Sequence, residues 1–65
     1  MMPDYSNEDV IKAINNVIHS QRDRDIVYRR LIDGLTYDEL SAEFNLSVRQ
    51  LQRITYKAQN KIFAR

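Results

Sequence analysis

The chain contains no cysteine, a single histidine and no long apolar run. Without cysteine it can have neither a disulfide framework nor a thiolate metal site. One histidine argues against a His-rich metal site and against a catalytic triad. No stretch of about 18 apolar residues could span a membrane, and no secretion signal opens the chain. These absences predict a cytoplasmic protein that is not an enzyme, needs no cofactor or metal, and does not associate with membrane.

Glycine and proline are also scarce, with one of each in 65 residues. So few chain breakers, with little alternation of β-branched residues, favour helices throughout. A Ser or Thr followed three residues later by an acid or Gln is typical of a helix start. This spacing occurs four times, at Ser6/Asp9, Ser20/Asp23, Thr36/Glu39 and Ser47/Gln50. We therefore predict a flexible segment 1–5 and one all-α domain, 6–65, a small bundle with helices at about 7–19, 21–33, 37–44 and 48–63.

The spacing within residues 36–54 predicts that this bundle contains a helix-turn-helix. Asn45 lies between the last two predicted helices, and asparagine tolerates the left-handed conformation that a sharp turn needs. Apolar residues are spaced to face the angle between the two helices: Leu40, Phe44, Leu46, Leu51 and Ile54. The second helix, about 48–63, would then keep a free outer face.

Charge is divided unevenly along the chain, although its formal total is only +1. The first 45 residues hold five basic and nine acidic residues (−4), and the last 20 hold five basic and no acidic residues (+5). The five recur every fourth position, as Arg49, Arg53, Lys57, Lys61 and Arg65. A basic row is often only a solvated helix face. This row begins at the helix N-terminus, where the helix dipole disfavours cations, so we favour DNA binding.

Arginine and glutamine are the side chains that make bidentate contacts with guanine and adenine edges. Arg49, Gln52 and Arg53 are therefore expected to read bases in the major groove. The later cations, Lys57, Lys61 and Arg65, suit the DNA backbone.

Residues 22–54 resemble the helix-turn-helix of the Mor-type phage transcription activators. The residues that carry this resemblance are Arg24, Ile26, Gly34, Tyr37, Glu39, Leu40, Asn45-Leu46-Ser47 and Arg53-Ile54. The segments Leu35–Leu40 and Asn45–Ser47 are also similar to region 4 of sigma-70-type factors and to small sigma-like phage regulators. The larger dimerisation region of Mor-type activators and the polymerase-binding regions of sigma factors have no counterpart here. The resemblance thus supports DNA binding more than activation.

This resemblance implies a transcription regulator of phage or mobile-element origin, with a recognition helix that starts at Ser47. By position, it implies base contacts from Val48, Arg49, Gln52 and Arg53. It also implies backbone contacts from Thr36, Ser47, Gln50 and Lys57.

Two aromatic residues of the last helix, Tyr56 and Phe63, are predicted to lie away from its apolar stripe. They are candidates for a dimer or partner face, with the alternative that Phe63 folds back on the first or second helix. A single helix-turn-helix contacts one half-site, so we expect a homodimer. The alternative function is a protein-interaction module that binds RNA polymerase or another regulator.

Overall fold

The computed structural model describes residues 7–63 and consists of four helices: α1 (Asn7–Val17), α2 (Gln21–Leu31), α3 (Tyr37–Phe44) and α4 (Val48–Phe63). It is the small all-α bundle that the sequence predicted, with no strand in the described part of the chain. The bounds of α3 and α4 match the prediction, whereas α1 and α2 each end two residues early. The expectations for segment 1–5, Ser6 and Arg65 lie outside the described residues.

Local capping sets where the helices begin. Thr36 accepts a hydrogen bond from the backbone N–H of Glu39, whose carboxylate accepts one from the N–H of Thr36, at 3.1 and 2.9 Å. Ser47 and Gln50 make the same reciprocal pair before α4, at 3.2 and 3.0 Å. Ser20 caps α2 with one such bond of 3.4 Å. These bonds satisfy N–H groups that lack a partner at a helix start.

The early end of α1 has a cause outside α1. Arg24 of α2 donates from Nε to the carbonyl of Ile18 at 2.7 Å and from Nη2 to the carbonyl of His19 at 3.0 Å. A guanidinium from the next helix thus holds the carbonyls just beyond Val17 and fixes the turn between α1 and α2.

The single glycine of the chain lies just beyond the end of α2. Gly34 has φ of +75°, the left-handed region that suits glycine after a helix end. The chain then turns so that the N–H of Leu35 donates to the carbonyl of Arg29 at 3.1 Å. Arg30 donates to the carbonyl of Leu35 at 2.8 Å, which holds the returning chain against α2.

Two apolar clusters form the core, and α4 contributes to both. The first joins α1, α2 and α4 through buried Val10, Ile14, Ile18, Val27 and Ala58. The second joins α2, α3 and α4 through buried Ile26, Leu40 and Leu51. Ile54 packs against both clusters. Because α4 contacts each of the other helices, most of its apolar side is packed inside the bundle.

A buried hydroxyl also connects α3 to α4. Thr55 has no exposed surface, and its Oγ1 lies 2.9 Å from the hydroxyl of Tyr37 and donates to the carbonyl of Gln52 at 3.2 Å. The Tyr37 ring lies under the guanidinium of Arg30, with 4.3 Å from Cζ to the ring centroid. Burying a hydroxyl is tolerated because it is hydrogen-bonded. The sequence analysis did not identify this contact.

An ion pair connects α2 to α3. Arg29 donates to both carboxylate oxygens of Glu43, at 2.9 and 2.5 Å, and to Asp33 at 2.8 Å. The bond from Arg29 lowers the pKa of Glu43. The pKa of Glu39 is lowered as well, by the N–H and hydroxyl of Thr36.

We expect the stability of the fold to fall in acid because of these two carboxylates. A carboxylate whose pKa is lowered by folding stabilises the protein fully above its unfolded pKa, about 4.3 for Glu, and this contribution disappears as the pH falls through the lower folded pKa. The urea midpoint should therefore decrease below about pH 5. The change is modest because both side chains are exposed to water.

The variant Glu43→Gln tests the origin of this loss of stability in acid. The control is Glu8→Gln, which removes one negative charge at an exposed position of α1. Glu43→Gln should lower the midpoint at pH 7 and flatten its pH dependence. An unchanged pH profile in Glu43→Gln would contradict the assignment.

Candidate nucleic-acid interface

The outer side of α4 carries a row of cations. Arg49, Arg53, Lys57 and Lys61 are all exposed, whereas Leu51 on the opposite side is completely buried. Over the 16 residues of α4, about 24 Å at 1.5 Å per residue, the four cations follow one slowly drifting line. The row that the sequence predicted is therefore solvent-facing in the described residues; its last predicted member, Arg65, lies outside them.

The cations of α4 differ from those of α2 in what they contact. All four arginines of α2 bind other groups of the protein. Arg22 binds Asp23, and Arg24 binds the carbonyls of the α1–α2 turn. Arg29 binds Glu43 and Asp33, and Arg30 binds the carbonyl of Leu35. Within residues 7–63, none of the four cations of α4 has an ion pair or a hydrogen bond. The fold uses the charges of α2 and leaves those of α4 available.

The turn before α4 fixes how this row is presented. Asn45 has φ 56° and ψ 43°, the left-handed conformation that the sequence predicted for it, and its N–H donates to the carbonyl of Ser41 at 2.9 Å. The hydroxyl of Ser41 donates to the carbonyl of Leu46 at 2.6 Å. Leu46 packs against the cluster that contains Leu40 and Leu51. The three-residue turn 45–47 is thus anchored from both sides.

The four predicted base-contacting residues do not share one environment. Arg49 and Arg53 are exposed, whereas Val48 and Gln52 are half-buried. At 100° per residue, Gln52 lies roughly 60° from Arg49 around the helix axis, on the side opposite Lys57. The carbonyl of Gln52 also accepts the Thr55 hydroxyl. The structure therefore brings the two arginines together and places Val48 and Gln52 at the margin of the exposed surface.

The predicted backbone-contacting polar residues take part in capping. The hydroxyl of Ser47 accepts from the N–H of Gln50 and lies 3.2 Å from its Oε1, to which it donates. Thr36 accepts from Glu39 but retains its own hydroxyl proton as a donor. The amide NH₂ of Gln50 has no partner within residues 7–63. The NH₂ of Gln50 can thus donate outward, and the hydroxyl protons of Thr36 and Ser47 can do so without breaking the backbone bonds of either cap.

Two exposed aromatic side chains lie on the same side of α4 as Arg49. Tyr56 is 53% exposed and Phe63 is 40% exposed. Both lie within roughly 40° of Arg49 around the axis of α4. Neither is among the side chains assigned to the two core clusters of the described residues. The outer face of α4 therefore combines positive charge with aromatic surface.

A groove of about 370 Å³ lies between α4 and the α1–α2 turn. Arg53, Lys57 and Lys61 line one wall, and His19 and Ser20 line the other. Its floor includes the apolar residues Ile18, Ile54 and Ala58. The sequence analysis missed this groove, because nothing in the local pattern indicates which turn packs opposite the row.

Neither a membrane-spanning helix nor a metal-binding cluster is found in the described part of the chain. No helix within residues 7–63 is both long and apolar enough to cross a membrane. The same residues contain no group of three or more His, Asp or Glu side chains placed to hold a metal ion.

Comparison of the chain with models of known protein families, with characterised proteins and with solved structures finds no match.

Proposed function

We propose that this protein binds double-stranded DNA sequence-specifically and regulates transcription, with α4 as the recognition helix. The observation that carries the proposal is the contrast in charge use: the arginines of α2 are bound within the fold, whereas the four described cations of α4 are exposed and unpaired. Positive charge without an internal partner is what a DNA-binding surface requires.

The position of α4 supports entry into the major groove, which is about 12 Å wide and admits one helix. Together, α3, the turn 45–47 and α4 would form a helix-turn-helix, in which base contacts come from the N-terminal part of the second helix. Arg49 and Arg53 are the base-reading side chains in this proposal, and Val48 and Gln52 contribute from the margin. Lys57 and Lys61 would contact phosphates.

The resemblance to Mor-type activators and sigma region 4 fits this proposal. It also implies that the protein comes from a phage or other mobile element, and we include that origin in the proposal. A regulator of this kind acts in the cytoplasm on a palindromic or repeated site. We include a homodimer in the proposal, because one α4 covers a single half-site. A monomeric mass by light scattering at tens of micromolar would argue against the homodimer.

The salt dependence of binding tests the proposal. A random pool of duplex DNA is first selected for bound sequences, and the affinity of the selected duplex is then measured by fluorescence anisotropy between about 50 and 200 mM salt. Each neutralised phosphate contributes a slope of about −0.9 to log K against log salt. With two to four phosphate contacts per chain, we expect a slope of roughly −2 to −4 for each chain bound. Failure to select any sequence would reject the proposal.

The second candidate is a protein-interaction module, favoured by the exposed rings of Tyr56 and Phe63. In that case the partner would be RNA polymerase or another regulator. A contact made mainly by these aromatic rings buries apolar surface, so its affinity should change little with salt. The same salt series, run once with the selected duplex and once with RNA polymerase, therefore separates the two functions.

A further inference from the structure

We infer that the groove between α4 and the α1–α2 turn binds a phosphate ester, a phosphate group with its attached sugar. Where the ester is a unit of the DNA backbone, the inference rests on the proposed function. It adds a second wall, at His19 and Ser20, to a contact that would otherwise come from α4 alone.

The charge of the groove supports an anionic ligand. Arg53, Lys57 and Lys61 lie along one wall, and no carboxylate of residues 7–63 pairs with any of them. Asp23 also lines the groove, but the guanidinium of Arg22 lies 3.3 Å from its Oδ1 and offsets its charge. Three cations along the same groove raise the local concentration of anions.

The shape and the floor of the groove support an ester rather than a bare ion. A volume of about 370 Å³ exceeds what one phosphate group fills and leaves space for a sugar. Val17 and Ile54, both half-buried, supply apolar surface on which the carbon face of a sugar can pack. The Ser20 hydroxyl, which accepts from Asp23, still has its proton to donate.

The second wall is held in place before any ligand binds. The two hydrogen bonds from Arg24 to the carbonyls of Ile18 and His19 fix the α1–α2 turn relative to α2. Ile18 is itself buried in the core. The wall therefore loses little conformational entropy on binding, which favours affinity.

The test follows backbone amide resonances of ¹⁵N-labelled protein during titration with the selected DNA duplex and, separately, with a deoxynucleoside monophosphate. Movement of the His19 and Ser20 resonances with DNA alone assigns the groove to the DNA backbone. Movement of both with the monophosphate, with or without the DNA response, assigns it to a free phosphate ester as well. Both results support the inference.

The double variant Lys57→Gln/Lys61→Gln should abolish these movements and lower the salt slope of DNA binding by about 2 for each chain bound, roughly one unit per lysine. Lys12→Gln, an exposed lysine of α1, is the matched control. Both groove lysines are exposed, so the double variant is expected to keep the fold, and circular dichroism checks this. Movements of the His19 and Ser20 resonances that persist in the double variant overturn the inference.

The inference and the proposed function fail in different ways. If DNA moves Arg49 and Arg53 while neither ligand moves His19 or Ser20, the groove assignment is wrong and DNA binding stands. If DNA moves no resonance of α4, the proposed function is wrong, and the monophosphate titration alone decides the groove.

Discussion

Replacement of Leu51 by alanine is expected to unfold a large fraction of the protein. Leu51 has no exposed surface and packs with Ile26 and Leu40 where α2, α3 and α4 meet. Truncating a fully buried leucine costs about 2–5 kcal/mol. At roughly 0.05–0.15 kcal/mol per residue, a chain of this length has only about 3–10 kcal/mol of stability, so the loss consumes much of the total. Urea unfolding followed by circular dichroism measures it.

Tyr56→Ala is the matched control on the same helix. Tyr56 is 53% exposed, so its truncation should change the free energy of unfolding by less than about 1 kcal/mol. Equal urea midpoints for Leu51→Ala and the parent protein would show that α4 does not pack as described.

Replacement of Arg53 by alanine should weaken binding to a specific DNA site by about 1–3 kcal/mol, roughly 5- to 150-fold. Arg53 is exposed and has no partner within residues 7–63. Its loss should therefore leave the fold unchanged and affect only the complex. Anisotropy titrations of the selected duplex, and of duplexes changed one base pair at a time, measure the effect. Arg53→Ala should also relax discrimination at one position of the site, and Arg49→Ala should do the same at another.

Lys61→Ala is the comparison for Arg53→Ala, because it removes an exposed cation from the same row. A lysine that contacts phosphate contributes equally on every sequence, so its loss should weaken specific and non-specific duplexes alike. If Arg53→Ala binds the selected site as tightly as the parent, the proposed recognition face of α4 is wrong.

The starts of α3 and α4 were predictable from the sequence because their causes are local. Each capping pair, Thr36 with Glu39 and Ser47 with Gln50, joins residues three apart. The left-handed turn at Asn45 depends mainly on the conformational preference of that one residue. Such interactions need no knowledge of the tertiary fold.

The end of α1 and the contact inside the bundle were not predictable, because their causes are distant or depend on packing. The apolar spacing continues through Ile18, so the sequence extended α1 to about residue 19. It does not show that Arg24 returns to hold those carbonyls. Likewise, Thr55 follows Ile54 with no sign that Tyr37, 18 residues earlier, will meet it in the core.

The candidate site was predictable only in part, for a related reason. Helical periodicity placed Arg49, Arg53, Lys57 and Lys61 on the outer side of α4, as observed. Periodicity gives an angle around one helix and no information about its neighbours. It therefore did not reveal that Gln52 is half-buried or that His19 lies across a groove from Lys57.

The hydrogen bond between Tyr37 and Thr55 adds a directional constraint on the rotation of α4 about its own axis. The packed core resists a roll of the helix, and a hydroxyl pair at 2.9 Å adds to this resistance because its geometry depends strongly on direction. With side chains reaching about 5–6 Å from the helix axis, a roll of about 20° would move an arginine tip by roughly 2 Å, far more than a bidentate base contact tolerates. The angular aim of Arg49 and Arg53 is thus constrained in part from the opposite side of the helix, by two oxygen atoms that would never touch DNA.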